Sequence, residues 1–154
     1  MKRAIFPGTF DPITIGHMDI ITRALPLFDE IIIGIGRNAE RTHLFDLDVR
    51  KEWIEEIFKD EPKIQVDHFV GLTVDFARFK KADFIIRGLR SPRDFEHEFQ
   101  LSQVNRKVAS DIETVYIMSS PEFTPISGKV VRELIIKGGP YKHFVPKEVD
   151  ITGL

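Results

Sequence analysis

Hydrophobic positions along this chain fall into two alternating kinds of segment. Short runs rich in Ile, Val and Phe at residues 3–6, 30–35, 64–69, 83–87 and 114–118 predict β-strands. Between them, residues 16–27, 48–58, 73–79, 94–109 and 127–136 carry helical patterns. The clearest is 48–58, where Val49, Trp53, Ile54, Ile57 and Phe58 form one face and Arg50, Lys51, Glu52, Glu55 and Glu56 the opposite one. Five strands interleaved with helices imply an α/β fold with a parallel sheet, helices on both faces and right-handed crossovers. In such open sheets a ligand sits beyond the carboxyl ends of the strands, near the switch in strand order. No repeat and no Pro-, Gly- or Ser-rich linker interrupts the pattern, so residues 1–154 read as a single domain.

Composition narrows the chemistry. The 154 residues are 42% hydrophobic with 13 Phe, enough for one substantial core and for some apolar surface to be covered by neighbouring subunits. Cysteine is absent, which excludes disulfides, thiolate nucleophiles, cysteine-held zinc and iron–sulfur clusters. Lys plus Arg total 22 against 24 Asp plus Glu, a net charge of −2 without the basic excess of a dedicated nucleic-acid binder. The longest apolar runs, such as 31–33 and 84–86, fall far short of the roughly 20 residues of a membrane helix. MKRAIFPGTFDP contains no signal-peptide apolar stretch. The expectation is a soluble, intracellular, cytoplasmic protein whose basic character, if functional, is gathered locally.

Two segments carry candidate chemistry. After the first strand comes Pro7-Gly8-Thr9-Phe10-Asp11-Pro12-Ile13-Thr14-Ile15-Gly16-His17, a turn leading into a helix. Gly8 permits close backbone approach to a ligand, and Thr9 offers a hydroxyl and an N–H at the strand's carboxyl end. Asp11 reads equally as a turn or cap residue. His17, in the first helical turn among unpaired N–H groups, is placed to donate to a phosphate oxygen. The fourth strand ends in Arg87-Gly88-Leu89-Arg90, two planar phosphate-binding forks flanking a glycine. In the next helix Glu98 and Asn105, seven residues apart, lie nearly on one face.

These segments carry a family resemblance. GTFDPITIGHMDII, with its T-x-G-H core, resembles the signature of the nucleotidylyltransferase superfamily. IRGLR, DFEHEFQL and Asn105-Arg106 closely resemble the bacterial phosphopantetheine adenylyltransferase family. So do GLTVDFA at 71–77, the stretch 121–129 and His143-Phe144-Val145-Pro146, and the match extends over most of the chain. The resemblance implies a Rossmann-like nucleotidylyltransferase fold and a reaction in which the phosphate of 4′-phosphopantetheine attacks the α-phosphorus of ATP, giving dephospho-coenzyme A and pyrophosphate. The nucleophile is already an anion, so no general base is required; the difficulty is aligning two polyanions.

The resemblance also implies roles. His17, Arg41 and Arg90 would stabilise the transition state. Thr9, Arg41, Thr73, Arg87 and Asn105 would meet phosphopantetheine. ATP would be held by Thr9, Phe10, His17, Gly88, Leu89, Arg90, Glu98 on the ribose side, and Phe123, Thr124, Pro125, Ile126, Ser127, Gly128 and Lys129. Mg²⁺ is implied as a cofactor carried by the substrate phosphates with no dedicated protein ligand. A homohexamer, and coenzyme A as a feedback ligand, are implied as well.

The chain departs from the family pattern in two places. Arg41 stands where a lysine is usual, and Ile126-Ser127-Gly128-Lys129 replaces a loop with more hydroxyls; Ser127 can still cap the helix and Lys129 can still supply charge. Gly34-Ile35-Gly36-Arg37-Asn38-Ala39 matches a G-x-G-x-x-A dinucleotide fingerprint in letters only, because its first glycine lies inside a strand run. His43, His68, His97 and His143 show no metal-ligand spacing. A small nucleotidylyltransferase with another acceptor (glycerol phosphate, choline phosphate or nicotinate mononucleotide) and a nucleotide sensor without turnover are the competing readings.

Overall fold

The computed structural model of the chain describes residues 1–37 and 42–154. Five parallel strands form its sheet: β1 (Arg3–Gly8), β2 (Glu30–Gly36), β3 (Ile64–Phe69), β4 (Phe84–Leu89) and β5 (Glu113–Met118), in the order β3-β2-β1-β4-β5. The helices are α1 (Ile15–Ala24), α2 (Leu47–Ile57), α3 (Thr73–Phe79), α4 (Pro92–Val108) and α5 (Gly128–Ile136). Every strand and helix expected from the periodicity is present. β1 and β4 each run two residues beyond their apolar runs, to Gly8 and Leu89, which carries the sheet ladder up to the residues with candidate chemistry.

Strand alternation sorts the core into two layers, as expected for a sheet covered on both faces. Ala4, Phe6, Ile31, Ile33, Ile35 and Ile86 point to one side, where Ile20, Ile21, Trp53, Ile54 and Val131 from α1, α2 and α5 meet them. Ile5, Ile32 and Ile85 point to the other, against Val74, Phe76 and Ala77 of α3. β2 is buried along its length because it is covered on both faces.

Two boundaries and one burial assignment differ from expectation for identifiable reasons. α1 stops at Ala24 rather than running to residue 27, and Leu25–Leu27 forms a 3₁₀ turn containing Pro26, which lacks the N–H an α-helix needs. α4 begins at Pro92, a residue suited to the first helical position, behind a Ser91 cap whose hydroxyl accepts from Asp94 N at 3.2 Å. Arg50, placed by periodicity on the polar face of α2, is instead 2% exposed. Its Nε donates to Phe45 O at 2.9 Å and its Nη1 to Thr9 O at 2.8 Å.

Gly34 shows what its glycine-rich motif is for. A Cβ there would lie 2.5 Å from Cε1 of Phe76, whose ring stacks on Phe69 with centroids 4.5 Å apart. The glycine seats α3 on the sheet; Asn38 and Ala39, the motif's last residues, lie outside the described residues. Among the described residues no helix is long and apolar enough to cross a membrane.

Candidate active site

β1 and β4 are neighbours although β2 and β3 intervene in sequence, so the strand order switches between them. Beyond their carboxyl ends lies a cavity of about 290 Å³. Gly8, Thr9, Thr14, Gly16 and His17 line it from the first turn, and Arg87, Gly88 and Arg90 from the fourth strand. Phe123, Ile126, Ser127 and Gly128 close it from the segment entering α5. Three stretches spread over more than a hundred residues of sequence thus meet at one point.

The first turn is held by groups whose roles were not legible. Phe10 adopts φ 47°, the left-handed region, and is 1% exposed, its ring 5.7 Å from that of Phe6 and 4.9 Å from that of His17. Asp11, 1% exposed, accepts from Leu44 N at 2.8 Å and Phe45 N at 2.9 Å, and the His43 ring stands 3.7 Å away. With Arg50 on the Thr9 carbonyl, Asp11 pins the turn to the chain entering α2. The polar character of Asp11 and Arg50 gave no sign that both are buried, because the bonds from Asp11 to Leu44 and from Arg50 to Thr9 each span more than thirty residues.

α1 opens with a reciprocal cap. Thr14 Oγ1 accepts from His17 N at 3.3 Å, while Thr14 N donates to His17 Nδ1 at 2.9 Å. An N–H pointing at Nδ1 requires a lone pair there, so the neutral ring carries its proton on Nε2. Burial of the ring, and secondarily the Arg90 guanidinium, lower its pKa from 6.5 to about 4. His17 is therefore an uncharged imidazole near neutrality, set beside the cavity with its Nε2–H available for donation.

On the opposite wall Ser127 caps α5, its hydroxyl accepting from Val130 N at 3.2 Å. An adjoining cavity of about 360 Å³ shares Thr9, His17, Arg90, Ser127 and Gly128, and adds Phe10, Lys129 and Arg132. Arg132, whose Nη1 donates to Asp11 O at 3.5 Å, was missed in the sequence because it reads as one more charge on a helix. Arg90 is exposed, and its backbone N–H donates to Asp94 Oδ2 at 3.0 Å.

A further cavity of about 330 Å³ lies on the other side of Arg87. Its walls are apolar (Leu72, Val74, Leu101, Val104, Val108), with Thr73, Asn105, Thr114 and Tyr116 interspersed. Arg87 is the one described residue lining both this cavity and the first. Glu98, expected beside the nucleotide ribose, lines this cavity instead, and its carboxylate is 2.5 Å from Arg87 Nη2. Leu89, 7% exposed, lies in the core, where its carbonyl accepts from Ser119 N at 2.8 Å. Thr124 and Pro125 line none of these three cavities. Arg41 lies outside the described residues.

An open parallel sheet with a cationic, helix-capped cavity at its switch point defines a nucleotide-handling α/β enzyme, and residues 5–134 match the family model described as cytidylyltransferase-like. A phosphopantetheine adenylyltransferase from Flavobacterium johnsoniae is 52% identical over 151 residues, 98% of this chain and 99% of the relative. Another from Bacteroides thetaiotaomicron is 45% identical over 152 residues, 99% of this chain and 100% of that one. The chain belongs to the phosphopantetheine adenylyltransferase family. The fold also matches a solved lipopolysaccharide core biosynthesis protein from Thermoplasma volcanium, with TM-score 0.56 and 20% identity over 78% of this chain and 97% of that one. A candidate nicotinate-nucleotide adenylyltransferase from Vibrio parahaemolyticus matches with TM-score 0.67 and 20% identity over 96% of each chain.

Proposed function

We propose that this chain transfers the adenylyl group of ATP to 4′-phosphopantetheine, producing dephospho-coenzyme A and pyrophosphate. The observation that carries the reading is the meeting of two unlike cavities at Arg87: a polar one at the α1 amino terminus and an apolar one with scattered hydrogen-bonding groups. The first suits a triphosphate; the second suits an extended arm of methylenes and amides. Their junction is where an acceptor phosphate would meet the α-phosphorus.

In the step itself, an acceptor phosphate oxygen forms a bond to the α-phosphorus as the bond to the bridging oxygen breaks, and pyrophosphate leaves with that electron pair. No proton has to move. The chain's contribution is alignment and charge stabilisation. His17 Nε2–H donates to the α-phosphate region, Thr9 aligns the incoming phosphate, and Arg90 balances charge from the exposed side. The Ser127-capped start of α5, with Gly128 and Lys129, receives the distal phosphates. Thr73, Asn105 and Arg87 face the acceptor, and Arg41 is proposed as a further cation for its phosphate. Among the described residues no group of three His, Asp or Glu side chains is spaced to hold a metal ion. Mg²⁺ held by the substrate phosphates rather than by a dedicated protein ligand would supply charge neutralisation of the triphosphate and of the pyrophosphate leaving group.

The remaining features concern surroundings. Glu98 is the one buried residue of α4, whereas Phe95 is 55% and Phe99 53% exposed, with ring centroids 6.0 Å apart. Such a face is covered by further copies of the chain in a homohexamer. A cytoplasmic location fits the substrates, and coenzyme A would compete as a ligand that shares their parts.

The decisive assay supplies ATP and Mg²⁺ with 4′-phosphopantetheine, glycerol phosphate, choline phosphate or nicotinate mononucleotide in turn, following pyrophosphate and the adenylated product. Turnover with 4′-phosphopantetheine alone is expected. Turnover with another acceptor instead, or nucleotide binding without any turnover, would refute the reading. His17→Ala is expected to lower kcat by about 10²–10³ with the fold retained.

A further inference from the structure

We infer that Glu98 is a positioning residue: it holds Arg87 by one edge of its guanidinium so that the other edge is presented to the acceptor phosphate. The inference rests on the phosphopantetheine reading above and assigns Glu98 to the acceptor rather than to the nucleotide. Arg87 Nε lies 3.2 and 3.1 Å from the two Glu98 oxygens, and Nη2 lies 2.5 Å from Oε1. Both interactions use the Nε/Nη2 edge of the fork. Nη1 makes no hydrogen bond to a described residue, so the Nη1/Nη2 edge keeps two parallel N–H groups, the pattern that grips a phosphate bidentately.

The surroundings support a fixed carboxylate. Glu98 is 8% exposed on a helix whose other residues are not buried. Tyr116, the neighbour of Arg87 across the β4–β5 ladder, donates from its hydroxyl to the Glu98 carbonyl at 3.2 Å and ties α4 to the sheet at this point. Arg87 stands in the wall between the two cavities with its side chain 33% exposed, and Glu98 approaches it from the acceptor side. A long arginine side chain without such a partner would spread over several rotamers, and freezing one of them would be charged to substrate binding. Leaving Glu98 in place also avoids burying its charge unpaired.

The test measures dissociation constants for 4′-phosphopantetheine and for ATP separately by calorimetry, on wild type, Glu98→Ala, Glu98→Gln, Arg87→Ala and the double variant, with thermal melts establishing that each is folded. Glu98→Ala is expected to weaken 4′-phosphopantetheine by ~10–100-fold, the range associated with orienting partners of ligating groups, and to change ATP by less than about twofold. Glu98→Gln, retaining one acceptor oxygen, should fall between. In the Arg87→Ala background the loss of Glu98 should add nothing further to acceptor binding, because the carboxylate acts through the guanidinium. Weakened ATP binding with normal acceptor binding would assign Glu98 to the nucleotide and overturn the inference. Tighter acceptor binding in Glu98→Ala would make Glu98 a competitor of the phosphate and overturn it equally. Wild type that fails to bind 4′-phosphopantetheine would refute the functional reading itself, whereas wild-type binding with an indifferent Glu98→Ala refutes only this role.

Discussion

His17 is expected to stay neutral far below the pH at which a free imidazole takes up a proton, and the consequence reaches both stability and catalysis. Its pKa is lowered from 6.5 to about 4, first by burial of the ring and then by the Arg90 charge. At pH 5.5 about 3% of the folded protein would carry a protonated His17, against about 90% for an unperturbed histidine. The unfolded chain takes the proton first as pH falls past 6.5, so the stability linked to this group is full above 6.5 and is lost progressively down to about pH 4. The gap corresponds to about 3 kcal/mol, an upper limit because His17 keeps part of its surface toward the cavity. Long-range proton–nitrogen NMR of the imidazole, titrated from pH 8 to 4.5, should show the Nε2–H tautomer throughout with no midpoint near 6.5. Arg90→Ala should raise the midpoint only in part, since burial is the larger cause. A midpoint near 6.5, or a proton on Nδ1, would refute the argument from the Thr14 cap.

Other residues offer sharper mechanical tests. Asp11→Ala strips the acceptor from two backbone N–H groups, and should lower stability by about 1–3 kcal/mol in urea unfolding while raising the KM for ATP through a loosened Thr9–Phe10 turn. Gly34→Ala would drive a methyl into the Phe76 ring, so a loss of about 1–3 kcal/mol is expected, with kcat of the remaining folded enzyme unchanged. Ser127→Ala removes the cap of α5, costing about 1 kcal/mol in a thermal melt and weakening ATP without altering acceptor binding.

Much of the molecule was legible before folding because it is encoded locally. The unbroken isoleucine-rich run of β2 marks a strand buried on both faces and the 3.6-residue period of α2 dictates its apolar face, and burying these surfaces leaves few arrangements besides a covered parallel sheet. The T-x-G-H turn and IRGLR were legible as motifs because a capped helix start and a strand end need particular residues at particular spacings. Arg50 shows the opposite case. Its position on α2 matches those of exposed charged residues, and only the passage of the Thr9 and Phe45 carbonyls beside it turns it into a buried anchor.

The sequence by itself determined the order and type of the elements, the absence of thiol chemistry and the two segments with candidate chemistry at strand ends. Tertiary structure alone decided what those segments do to one another. It placed Arg87 in the wall between two cavities and committed one edge of its fork to Glu98. It lowered the pKa of His17 by burying the ring beneath Phe10 and beside Arg90. Periodicity reports which side of an element faces inward, whereas hydrogen-bond partners and desolvation depend on which distant backbone arrives there, a quantity set only when the sheet brings β1 and β4 together.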